Sequence, residues 1–194
     1  MARTKEFDRD AALAGALDVF WTKGYEGALT EDLLKGMKIG RQSMYDTFGD
    51  KQSLFLESLR TYHKLDNRNF FDHLGDNPSP LEVLHGFLAI FTRRSAEENA
   101  RGCMGINATT AFGHAQPEVT ALARGTATSV ETLLAGLIEA AKARGDLSKT
   151  LNATVAASFL YATLQGLTVR AQAGADRDEL AGVADFAMKA LSAM

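Results

Sequence analysis

The sequence has little that would break a helix and nothing that would staple a fold. Its 194 residues include three prolines and a single cysteine, Cys103. One cysteine excludes an intramolecular disulfide and a cysteine-rich metal site, and it sets the expectation of a reduced, cytoplasmic protein. No run approaches the roughly 20 apolar residues of a membrane span, so no membrane partner is expected. The N-terminal MARTKEFDRD carries charge but no apolar signal-peptide core. Excess positive charge is missing too. The net charge is −3, and the first 51 residues hold eight Lys/Arg against nine Asp/Glu. Bulk electrostatics therefore gives no nucleic-acid signal, and any DNA binding has to come from a local cluster. Repeats, low-complexity tracts and the two-residue alternation of strands are also absent.

What is present is helix. Hydrophobic residues make up 46% of the chain, enough for a sizeable core, and Ala, Leu, Lys and Glu abound. Leu13, Ala16, Leu17, Phe20 and Trp21 form one apolar stripe, with Asp8 or Asp10 as a cap and Lys23-Gly24 as a stop. A short helix is expected from Thr30 to Met37, with Leu33, Leu34 and Met37 inward. The turn Lys38-Ile39-Gly40 leads to a second short helix, RQSMYDTF, beginning at Arg41. Two short helices joined by a tight turn behind a longer one make a helix-turn-helix.

Further helices are expected from Asp50 past Tyr62, from Pro80 to Glu97, up to His114, from Pro117 to Gly145, from Leu151 to Ala173, and at the C-terminus. GDNPSP (75–80), ENARGCMG and GHAQP separate them. The chain is expected to be all-α, with about nine helices. The helix from Leu151 is apolar on more than one face, which requires more than one neighbour.

In RQSMYDTF, Met44 and Phe48 share one face, while Arg41, Gln42, Tyr45 and Asp46 share the other. Arginine and glutamine can read guanine and adenine edges in the major groove by paired hydrogen bonds. Hydroxyls and lysines suit phosphates, which fix position rather than sequence. Arg41 and Gln42 are thus candidate base readers, and Thr30, Lys38, Ser43, Tyr45 and Lys51 candidate phosphate contacts. The helix start at Lys51 also offers backbone N–H groups to a phosphate. On spacing alone, a solvated helix of a bundle accounts for the same pattern.

WTKGYEG followed by SMYDTFGDKQSLF resembles the N-terminal domain of TetR/AcrR-family transcriptional regulators. Phe20, Gly24, Tyr25, Tyr45, Phe48, Lys51 and Leu54 match the family pattern Phe-x-x-x-Gly-Tyr, then Tyr-x-x-Phe-x-x-Lys-x-x-Leu. The resemblance implies an N-terminal three-helix helix-turn-helix DNA-binding domain, assigned to residues 1–50. It implies a C-terminal helical domain, 51–194, that binds a small molecule and forms a homodimer through the last two helices. The implied partner is a double-stranded, near-palindromic DNA operator, bound by a ligand-released repressor; no cofactor, metal or catalytic residue is expected. Three positions depart from the pattern: Leu29 stands where Thr or Ser caps the second helix, Lys38 where glycine often turns, and Asp46 where histidine is common. An acid at that last position can accept from cytosine N4 or repel phosphate.

Phe87, Phe91, Met104, Phe112, Phe159 and Tyr161, with Gln165 and His114 as polar anchors, are candidates for an apolar ligand pocket; core packing is the competing reading. Cys103, with Arg101 close by, lies in a Gly-Cys-Met-Gly turn that resembles a segment in a subset of the family. It is a candidate redox or electrophile sensor. Two rival classes compete with this reading. A metal-dependent helical enzyme needs a second Glu-x-x-His beside Glu82–His85, and none exists. A helical interaction module without DNA binding is the other.

Overall fold

The computed structural model describes residues 7–71 and 78–193, with only the backbone given for 66–71. Ten α-helices run through them: α1 (Arg9–Gly27), α2 (Thr30–Met37), α3 (Arg41–Phe48), α4 (Lys51–Phe71), α5 (Pro80–Leu88), α6 (Ala96–Arg101), α7 (Met104–Phe112), α8 (Pro117–Arg144), α9 (Ala153–Gln172) and α10 (Arg177–Ala193). Short 3₁₀ turns occupy Ile90–Thr92 and Gly113–Ala115. No strand occurs among the described residues, and no helix among them is long and apolar enough to cross a membrane.

Two expected boundaries move. The helix from Lys51 continues through the polar stretch after Tyr62 to Phe71. The segment expected as one helix from Pro80 to Glu97 is two, because Ser95 accepts from Glu98 N while Glu98 accepts from Ser95 N, restarting the helix as α6. That capping box splits the chain where apolar periodicity reads through. Leu133, at helical spacing from Val130 and Leu137 on α8, is exposed although that spacing places it on their apolar face. The expected GDNPSP break lies partly outside the described residues.

The chain packs as two compact units. One comprises Met1–Asp66 with Cys103–Leu122, the other Asn67–Gly102 with Ala123–Met194. The first therefore contains α7, which the division at residue 50 assigns to the C-terminal domain. Its core joins Leu13, Ala16, Leu17 and Phe20 of α1 to Leu33, Met37, Met44, Phe48, Leu54, Phe55 and Leu59, with Met104, Ala108 and Val119 from the later segment. Two glycines let α1 and α2 meet. A Cβ on Gly15 would collide with the Gly36 carbonyl oxygen, and one on Gly36 would lie 2.7 Å from Val19 Cγ2.

The second unit buries Leu84, Leu88 and Phe91 with Leu134 and Ile138 of α8, Leu160 and Leu167 of α9, and Leu180, Ala184, Ala187 and Leu191 of α10. Ser79 and Glu82 form the capping box that starts α5, and Asn152 Oδ1 accepts from Val155 N to start α9.

Candidate nucleic-acid interface

The interface is built from the turn outward. Lys38 ends α2 in the left-handed region (φ 55°, ψ 37°), with its N–H directed to Leu34 O and Lys35 O. It is the one non-glycine residue with positive φ among those described. Met44 and Phe48, both buried, seat α3 on the core, and this forces Arg41, Gln42, Tyr45 and Asp46 into solvent. Gly40 precedes α3 and offers no side-chain cap, so its first N–H groups remain open to an acceptor. Gly49, at φ 78°, closes the helix.

The start of α4 is less open than expected. Asp50 Oδ1 accepts from Ser53 N at 2.7 Å, and these hydrogen bonds hold its carboxyl below the usual range. One N–H counted as a phosphate donor is thus already taken. Lys51 remains, its Nζ lying 4.5 Å from the centre of the Tyr25 ring. That ring is part of a cluster: Tyr25 meets Phe55 and Phe112 edge-on at 5.1 Å each, and Phe20 lies 6.3 Å away. Gly24 (φ 68°) makes this possible by breaking α1 so that Tyr25 folds back. Tyr25 is a support that sequence reasoning placed only in the resemblance; its signal was Gly-Tyr just after an amphipathic stripe.

Two ion pairs hold the helices that present α3. Arg9 grips Glu57 with both terminal guanidinium nitrogens, at 2.7 and 2.9 Å, and lies 4.8 Å over the Phe48 ring. This bidentate contact couples α1, α3 and α4. Lys23 Nζ lies 2.6 Å from Asp32, whose other oxygen accepts from Leu29 N. Both contacts lower the Asp32 carboxyl, the Lys23 bond most. Asp32 thereby satisfies the Leu29 N–H, one half of a capping box, while Leu29, exposed and without an acceptor, leaves the other half unmade.

Asp46 has a partner that spacing alone could have suggested. Gln42 Nε2 donates to Asp46 Oδ1 at 2.8 Å, an i,i+4 pair on the exposed face of α3. Thr30 and Ser43 are half-buried, and Lys38 is exposed.

The eight candidate ligand residues are divided between the units. Met104 is a core residue of the first, Phe112 is half-buried against that core, and His114 is exposed. Phe87 and Phe91 are core in the second, Phe159 is exposed, and Tyr161 and Gln165 are half-buried on α9. A different groove, of about 750 Å³, is lined in the second unit by Leu81, His85, Arg93, Met188 and Lys189, among others. Cys103 precedes α7, half-buried; its Sγ and the His63 ring both lie within 4 Å of where a Gly105 Cβ would stand. Glu82 is occupied in its capping box and His85 lies 2.9 Å from Asp185. Among the described residues no three His, Cys, Asp or Glu side chains are grouped to hold a metal.

The family model described as bacterial regulatory proteins, tetR family, matches residues 12–58. The model described as tetracyclin repressor-like, C-terminal domain, matches residues 80–187. The uncharacterized HTH-type transcriptional regulator YezE of Bacillus subtilis is 30% identical over 193 residues, which is 98% of this chain and 100% of its own. The HTH-type transcriptional repressor ComR of Escherichia coli is 26% identical, over 96% of this chain and 90% of its own. Among solved structures, a cysteine-substituted TetR family regulator CifR, complexed with 26-bp double-strand operator DNA, matches with a TM-score of 0.83 and 32% identity. The match covers 98% of this chain and 100% of that one.

Proposed function

The chain belongs to the TetR family of transcriptional regulators, and from that premise we propose that it is a repressor acting as a homodimer on a near-palindromic operator. The observation that carries this is the exposed face of α3. Buried Met44 and Phe48 anchor a helix that presents Arg41, Gln42 and Tyr45 together. Arg41 and Gln42 read base edges, Arg41 by a bidentate pair to guanine and Gln42 to adenine. Thr30, Lys38, Ser43, Tyr45 and Lys51 hold phosphates and set the register. CifR, bound to operator DNA and alike in both fold and sequence, supports the reading of this face as the DNA contact.

The dimer forms through α9 and α10. Val155, Phe159 and Val169 on α9 and Phe186 on α10 are large apolar groups left 42–73% exposed. Exposed apolar groups concentrated on the last two helices fit an interface better than solvent. Two α3 helices then enter successive major grooves, about 34 Å apart. A small molecule held in the C-terminal unit, with Tyr161 as lining and Gln165 as a polar anchor, releases DNA if it binds the DNA-free arrangement more tightly. Cys103 is a second candidate input.

Selection of duplexes from a random pool by the full-length protein tests the reading. A two-fold symmetric consensus with half-sites about one helical turn apart is expected. A pool that stays random after repeated rounds would sink the repressor reading and favour a helical interaction module.

A further inference from the structure

We propose that Asp46 is a specificity-positioning residue that acts through Gln42: by holding one amide hydrogen it fixes which way round Gln42 presents its donor and acceptor to DNA. The inference rests on the reading of α3 as the base-reading helix. It deepens that reading by assigning a role to the residue least expected against a polyanion.

The chemistry is directional. A glutamine amide can turn over by rotation about its last bond, exchanging the places of its oxygen and nitrogen. A carboxylate has acceptors and no donor, so it tolerates only the nitrogen on its own side. With Nε2 donating to Asp46 Oδ1 at 2.8 Å, the flipped amide would set Oε1 against a carboxylate oxygen. One Nε2 hydrogen and Oε1 are left for a base edge, in one fixed order. Adenine offers N7 as acceptor and N6–H as donor side by side in the major groove, which this couple matches in a single orientation. Guanine offers two acceptors, one of which would face Oε1. A free glutamine can present either order; the pinned one presents one.

The two earlier accounts of Asp46 make different demands. Reading cytosine N4 directly requires a carboxylate oxygen aimed at the groove and makes Asp46 independent of Gln42. Simple phosphate repulsion requires no sequence preference at all. Both side chains are exposed on α3, clear of the buried Met44 and Phe48, so replacing them leaves the helix seated.

The test uses the full-length protein and a duplex selected by it from a random pool. Dissociation constants are measured on that duplex, on versions changed at each base pair, and on a scrambled duplex. The variants are Gln42→Ala, Asp46→Ala, Asp46→Asn and the double Gln42→Ala/Asp46→Ala, with circular dichroism confirming the fold. Asp46→Ala is expected to flatten preference at the same base pair as Gln42→Ala, by about five-fold or more. The double variant should be no flatter than Gln42→Ala alone. Asp46→Asn should keep part of the preference, since its carbonyl accepts the same hydrogen without charge. On the scrambled duplex Asp46→Ala should bind at least as tightly as the wild type. Flattening at a different base pair, additive effects, or an unchanged profile for Asp46→Ala would each overturn the positioning role while leaving DNA binding intact. Failure of the wild-type protein to enrich any sequence would overturn the DNA reading, and the proposal with it.

Discussion

Lys38 holds a backbone conformation that glycine adopts freely, at φ 55° and ψ 37°. The left-handed region costs a side chain about 1 kcal/mol, so Lys38→Gly should stabilise the protein by roughly that amount in chemical denaturation. If Lys38 is a phosphate contact as proposed, the same variant loses that cation and should bind DNA more weakly at low salt. Gain in stability together with loss of affinity is the expected signature; no change in either would remove Lys38 from the interface. Gly15 shows the opposite constraint. A methyl there meets the Gly36 carbonyl oxygen, so Gly15→Ala should destabilise by on the order of 2 kcal/mol, seen as a lowered melting temperature. The turn at Lys38 was legible because Lys-Ile-Gly between two short helices admits few geometries. The Gly15–Gly36 approach was not, because it depends on how two helices cross.

At the scale of elements, α2 and α3 were legible to the residue. Strong local signals bound them: acids in the first turn of α2, glycines on both sides of α3, and inward residues at helical spacing. The continuous helix expected from Pro80 failed because a dense apolar run masked the capping box at Ser95 and Glu98. The packing of α7 with the first unit was hidden for a different reason. Phe112 pairs with Tyr25 and Phe55 across long separations in the chain, and no local pattern encodes that. Six of the eight candidate ligand residues rest on apolar character, which core and pocket share; Phe91, fully buried, shows how little it discriminates. The exposed apolar groups of α9 and α10 give an element-scale prediction. Phe159→Asp with Phe186→Glu should yield monomers in sedimentation velocity and lower operator affinity on the order of a hundred-fold, since the second half-site is no longer tethered. A dimer that persists would place the interface elsewhere.

At the scale of the whole molecule, stability and recognition respond to pH and salt in predictable directions. Asp32 and Asp50 in the first unit, and Glu82 and Glu98 in the second, have carboxyl groups lowered chiefly by hydrogen bonds. A group lowered in the folded state contributes stability above its unfolded value and loses it as pH falls through the folded one. The melting temperature should therefore hold nearly level from pH 7 to about 5 and fall below about 4. A melting temperature that rose on acidification would contradict these assignments. With a net charge of −3, affinity for DNA has to reside in the local array around α3. The most direct test measures operator affinity against salt concentration for the wild type, Arg41→Ala and Lys51→Ala, on the selected duplex and on a scrambled one. Lys51→Ala is expected to weaken both duplexes alike and to reduce the logarithmic salt slope by about 1. Arg41→Ala should weaken the selected duplex far more, by about five-fold or greater in relative preference. If the two variants behave identically on both duplexes, α3 does not read bases and the account of this interface is wrong.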